Sequence, residues 1–268
     1  MVVKAADAGI RKLYHYQTFC PAYLADTLVS QRVHVSNPQD LNDPWDCYPC
    51  FDTARVADPA YRASCITKLQ QYPLPHLTAA KRLSYEAMMQ ADSDLFAKML
   101  HTTFRESVRN MVVARWRIYC LTPHSDRSLM WSHYSNHHQG ICLEFDTSQA
   151  VIGGAFQVGY RDALPALDIP AISDEAAFQV LVTKSLDWSY ENEYRILARD
   201  GEGDDVPNLL PITTKDFLPL PPGALTGIIA GCRADLNDIK VVVERHAPGL
   251  PVKRAVQAPD RYCLFVHE

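Results

Sequence analysis

The stretch DWSYENEYRIL, residues 187–197, changes character halfway: aromatic and acidic residues give way to an apolar run. EYRILAR therefore reads as a strand entered from a polar, aromatic approach. Before it, residues from Asp174 to about Leu186 have helical spacing, with Ser173 or Asp174 as the cap. Two glutamates, Glu191 and Glu193, stand one residue apart at the junction. On a strand they share a face. Two carboxylates that close repel, and one pKa rises unless a cation or a hydroxyl-rich ligand intervenes. Arg195, two residues further along that face, can neutralise one of them. A solvated Glu/Arg ladder on a strand edge accounts for the same letters, and on its own it is the simpler reading.

Working outward, the N-terminal segment reads strand (LYHYQ, 13–17), helix (AYLADTLVSQ, 22–31), strand (RVHVS, 32–36), then the turn-rich loop NPQDLNDPWD at 37–46. Residues 54–113 turn helical, with Asp58–Pro59, Thr78 and Ser93 as helix starts. Strands return at 115–122, 140–146, 155–162 and 193–199. A Pro-rich spacer at 206–223 leads to the strand LTGIIAGC (225–232). A helix capped by Asp235 and the strands PVKRAVQ and YCLFVH close the chain. The sum is one α+β domain over 1–268: a twisted, mixed or split sheet with flanking helices and a helical insertion near 54–113.

At 268 residues the chain can bury a substantial core. Its net charge of −5 supplies no basic field to draw it onto nucleic acid. No apolar stretch approaches the roughly 18 residues that span a bilayer, and the N-terminus lacks a secretory pattern. These features indicate a cytoplasmic protein whose eight cysteines are reduced thiols. There is no G-x-G-x-x-G turn, which disfavours a Rossmann dehydrogenase or a P-loop enzyme.

Other residue clusters invite chemistry, each with a bland alternative. Tyr14, His15 and Tyr16 lie on the first strand, where a histidine is usually a half-buried structural residue. Asn42 and Asp43 belong to turn chemistry, and Trp45 beside them is expected to pack onto something. A helix from Trp131 to His138 would set His133 and His137 on one face. Paired with Cys47 and Cys50 they could suggest zinc, but the halves are far apart and each is common. No metal is expected.

YHYQTF (14–19), LNDPWDC (41–47), LMWSHYSNHHQGICLEFD (129–146), KSLDWSYENEYRIL (184–197) and IIAGCR (228–233) together resemble the bacterial family of unknown function catalogued as DUF2971. The resemblance runs from about Leu13 to about Arg233 and supplies no activity. More loosely, the order of these segments is similar to that of the ADP-ribosyltransferase superfamily. That likeness implies NAD as substrate, a nucleotide-like ligand. His15 would meet the adenosine-side ribose, Tyr134 would stack on nicotinamide and Glu193 would hold the nicotinamide ribose. Glu191 would orient the acceptor of ADP-ribose, while Tyr14, Trp131, Asn42, Asp43 and Arg195 complete the expected pocket. His15, Tyr134 and Glu193 should then converge on one cleft. The rival is a non-enzymatic ligand- or protein-binding module, in which Trp131, Tyr134, Trp188 and Tyr190 form a core seam. A metal-dependent hydrolase around His133, His137 and the cysteine pair ranks third.

Overall fold

A computed structural model describes residues 3–71, 78–200 and 210–267. The chain is α+β and divides into two compact units: Met1–Asp40 with Arg115–Val158 and Asp187–Glu268, and Leu41–Ala114 with Gly159–Leu186.

In the first unit the main elements are β1 (Lys12–Gln17), α1 (Pro21–Ser30), β2 (Arg32–His34), β3 (Trp116–Leu121), α2 (Ser128–Tyr134) and β4 (Ile141–Asp146), followed by β5 (Tyr194–Asp200), β6 (Leu225–Ala230), α3 (Leu236–His246), β7 (Val252–Gln257) and β8 (Leu264–His267). A five-stranded sheet runs β1-β4-β6-β7-β8. It is mixed because α3 carries the chain across from β6 to a parallel β7, whereas the other pairs are antiparallel. Asp235 starts that crossover, its carboxylate accepting the Asn237 and Asp238 amides. A second sheet centres on β5, antiparallel to β3 on one side and paired on the other with Phe156–Gln157 and Ile212–Thr213. The two sheets meet where Tyr14 and Thr122 exchange backbone hydrogen bonds of 2.8 and 2.9 Å. A split sheet results.

Strand alternation gives the large sheet two buried faces. Leu13, Leu143, Phe145 and Ile228 pack under Leu24 and Leu28 of α1 and Ile239 and Val243 of α3. Tyr16, Cys142, Ile229, Ala255 and Leu264 face Met130 and Trp131 of α2. Each fully buried side chain of this size contributes about 1.5–3 kcal/mol. Covering both faces explains why β4 is buried along nearly its whole length and reads as an apolar run.

The second unit holds the helices Pro59–Leu69, Ala79–Ala91 and Ser93–Met99, the last running through a π turn at Leu100–Phe104 into Arg105–Arg115. The helices of the 54–113 region share a core with residues 159–186: Phe51, Tyr61, Cys65, Phe96 and Leu100 pack with Leu167 and Ile169. Asp58 and Thr78 cap as expected. At the next start Asp92, not Ser93, is the cap, its carboxylate accepting the Asp94 and Leu95 amides.

Two boundaries differ from the sequence reading. The helix at 174 stops at Leu181, because Thr183–Ser185 pairs in parallel with Gly159–Arg161. The run 155–162 breaks into two strands for the same reason, Gly159–Arg161 leaving Phe156–Gln157 to pair with β5. Part of the 206–223 spacer lies outside the described residues; the rest includes the strands Ile212–Thr213 and Phe217–Pro219.

Candidate functional site

The junction that opens the sequence reading is a 3₁₀ helix, Leu186–Glu191, and not the start of a strand. Asn192, in the left-handed region at φ 46°, then turns the chain into β5. Asparagine tolerates this conformation better than most residues. The turn breaks strand alternation, so the shared face expected for the two glutamates does not form. Each has its own partner. Tyr134 Oη donates to Glu191 Oε1 at 2.5 Å. Arg195 donates to both oxygens of Glu193, from Nε at 2.8 Å and Nη2 at 3.0 Å. Strand alternation does hold between Glu193 and Arg195, which is why that pair closes. Glu191 and Glu193 are 2% and 3% exposed and Arg195 is fully buried, so a solvated edge ladder is ruled out.

Around Glu191 the geometry is built by the β3–α2 loop. Thr122 Oγ1 donates to the Glu191 carbonyl at 2.7 Å and anchors the 3₁₀ helix to the end of β3. Asn192 Nδ2 lies 3.4 Å from His124 Nε2. An amide NH₂ only donates, so that ring nitrogen accepts and the imidazole is neutral. Burial, assisted by the Arg127 cation, holds the His124 pKa below its ordinary value, consistent with that state. Tyr16 Oη donates to the His124 carbonyl at 2.9 Å, fixing the loop from β1. Neither His124 nor Asn192 was singled out in the sequence. The signal for both is positional: polar residues at a strand end and in a left-handed turn beside an acid.

Aromatic rings border the acid. His133, Trp188 and Tyr190 have centroids 6.1 to 6.4 Å apart, and Tyr134 lies 6.2 Å from His133. Trp188 and Tyr190 are partly exposed, so they are not a sealed seam. Trp131 is different: it is completely buried, edge-on to Tyr16, with its indole N–H on the Ser125 carbonyl at 2.9 Å.

His15 points the other way. Leu13 and His15 share one side of β1, and the ring stacks on Tyr119 at 4.2 Å. Its Nδ1 bonds the Cys120 carbonyl at 2.8 Å, which requires the proton on Nδ1. Burial outweighs that bond and pushes the pKa down to about 4. On the other side of β1, Tyr16 belongs to the cluster against which Tyr14, Tyr134 and Tyr190 pack. The structure thus joins Tyr134 to Glu191 and Arg195 to Glu193. His15 is not among them, because alternation along β1 turns it to the opposite face.

Asn42 and Asp43 belong to the second unit. Asp43 is buried, and its carboxylate accepts the Trp45 amide at 2.9 Å in an Asx turn. Trp45, expected to pack, is 62% exposed. Lys184 lies 3.9 Å from Asp46 in the same unit.

The helix expected through His138 ends at Tyr134. Asn136, His137 and His138 follow at φ 43°, 54° and 70°. His133 and His137 therefore share no helical face. A turn this tight returns the chain into β4 through Gly140, where a Cβ would collide with the Gln17 carbonyl. Cys47 Sγ contacts Asp46 Oδ1 at 3.5 Å. Among the described residues, no three His, Cys, Asp or Glu side chains gather as metal ligands. No described helix is long and apolar enough to cross a membrane.

No curated protein and no solved structure matches the chain. Residues 130–196, which carry Tyr134 and the whole Glu191–Arg195 segment, match the model of the family described as Protein of unknown function (DUF2971), as the motifs in the sequence led us to expect.

Proposed function

We propose that this protein is an ADP-ribosyltransferase-like enzyme that cleaves NAD at the nicotinamide–ribose bond and passes ADP-ribose to an acceptor or to water. The observation that carries the reading is the buried Glu191 carboxylate, held by Tyr134 at the edge of the partly exposed ring cluster of His133, Trp188 and Tyr190. When the C1′–N1 bond breaks, its electron pair leaves with neutral nicotinamide and positive charge develops on the ribose. An oriented carboxylate in a site shielded from water stabilises that charge strongly. The rings offer flat surfaces for nicotinamide at low entropic cost. Attack by an acceptor hydroxyl or water then forms the new C1′–O bond and releases one proton, which the Glu191 carboxylate takes up.

On this reading the roles differ from those that the resemblance implied. Glu191, with its hydroxyl partner, supports the reacting ribose better than Glu193, whose two oxygens are both engaged by Arg195. Glu193 and Arg195 act as a positioning pair. Nicotinamide release measured by chromatography tests this: wild type should turn over NAD, and Glu191→Gln should lose about 10²–10³ of the rate.

A second reading, a module that binds a nucleotide-like ligand without turnover, is favoured by the Glu193–Arg195 neutralisation and by Trp131 serving the core. Calorimetry showing NAD binding with no nicotinamide release would select it.

A further inference from the structure

At the far edge of the large sheet from β1, a cavity of about 670 Å³ opens between the start of α2, the end of β6 and the β7–β8 hairpin. None of the Tyr134–Glu191 residues lines it. Its size falls in the range of small-molecule sites. Among its lining side chains Ser128, His138, Arg233, Asp260, Arg261 and Tyr262 carry the chemistry.

Three observations define what it would take. Asp260 and Arg261 satisfy each other through two bonds of 3.1 and 3.0 Å, so their charges cancel. Arg233 makes no ion pair among the described residues, leaving one net positive charge in the cavity. His138 Nδ1 is buried and has no hydrogen-bond partner among the described residues. The backbone holds His138 and Arg233 together: the Arg233 amide donates to the His138 carbonyl at 3.1 Å. Gly231 packs against that same carbonyl so closely that no Cβ could fit. At the rim, Tyr262 is fully exposed and presents its whole ring to solvent.

We propose that this cavity binds a nucleoside monophosphate, with the phosphate on Arg233 and the base stacked on Tyr262. Guanidinium recognises phosphate through paired, charge-assisted donors, and an exposed aromatic ring is a platform that any base can use. The site is separate from the one proposed for NAD cleavage and does not depend on it.

Isothermal titration with AMP and with inorganic phosphate tests the proposal. Wild type should bind AMP more tightly than phosphate. Arg233→Ala should weaken AMP by at least tenfold and Tyr262→Ala should remove the advantage of AMP over phosphate, while Glu191→Gln should leave both affinities unchanged. Unaltered thermal melting of the two cavity variants confirms that they fold. Absence of AMP binding to the wild type at millimolar concentration would overturn the proposal. So would AMP binding that survives Arg233→Ala but is lost in Tyr134→Phe, since the nucleotide would then sit at the other site.

Discussion

Tyr134, at the last turn of α2, donates its phenolic proton to Glu191, at the last residue of the 3₁₀ helix before β5, at 2.5 Å. This contact ties the two motif-bearing segments together at the edge of the ring cluster. Removing the hydroxyl leaves Glu191 buried without that donor. Tyr134→Phe should therefore lower NAD turnover by about tenfold or more, with the ring retained for stacking, and destabilise the fold by roughly 1–3 kcal/mol. Turnover assays with parallel chemical denaturation check both.

Glu193 and Arg195 form a buried pair, so removing the guanidinium takes two charge-assisted bonds from the Glu193 carboxylate. Arg195→Met should cost about 3–5 kcal/mol in denaturant unfolding, whereas replacing both residues with apolar ones of similar size should cost much less. A double-mutant cycle reads the difference directly.

The sequence reading anticipated this pair because strand alternation is local: residues two apart on a strand meet. It mispaired Glu191 with Glu193 because a left-handed Asn192 sits between them, and nothing in the letters ENE distinguishes a turn from a strand. The strands themselves were legible from β1 to β8, since a sheet buried on both faces leaves apolar runs. The long helix drawn through His138 failed where Gly140 must pass the Gln17 carbonyl, a tertiary contact invisible to periodicity. His15 faces Tyr119 and not the cluster of Tyr14 and Tyr16, because a strand's period places residues on alternate faces without saying what each face meets. The contact between His124 and Asn192 leaves no mark in the sequence because it depends on distant segments meeting.

Tyr119 lies in the core with a buried hydroxyl that has no hydrogen-bond partner among the described residues. Tyr119→Phe removes that group and keeps the stack on His15. Unfolding stability should stay the same or rise by about 1 kcal/mol. A loss of more than 1 kcal/mol would mean that the hydroxyl is satisfied in solution.

Glu144, buried on β4, is held below the ordinary carboxylate range: burial alone raises its pKa, but the bond from Lys12 at 2.6 Å, the charge of Lys253 at 3.4 Å and Thr226 outweigh it. A carboxyl with a depressed folded pKa stabilises fully above its unfolded value, near 4.5, and loses that contribution as pH falls through the lower folded value. Stability should thus decline with acid from about pH 4.5 downward, and Glu144→Gln should flatten that decline. Equilibrium unfolding from pH 6 to pH 2.5 measures it.

The central claim is that Glu191, not Glu193, carries charge to the reacting ribose. Nicotinamide release from NAD by wild type, Glu191→Gln and Glu193→Gln, each first shown to be folded by circular dichroism, tests it most directly. Wild type should turn over NAD, and Glu191→Gln should lose about 2.7–4 kcal/mol of barrier stabilisation, or 10²–10³ in rate. Glu193→Gln should lose less turnover and more stability, because its work is to hold Arg195. Wild type that binds NAD without releasing nicotinamide, or Glu191→Gln as active as wild type, would contradict it.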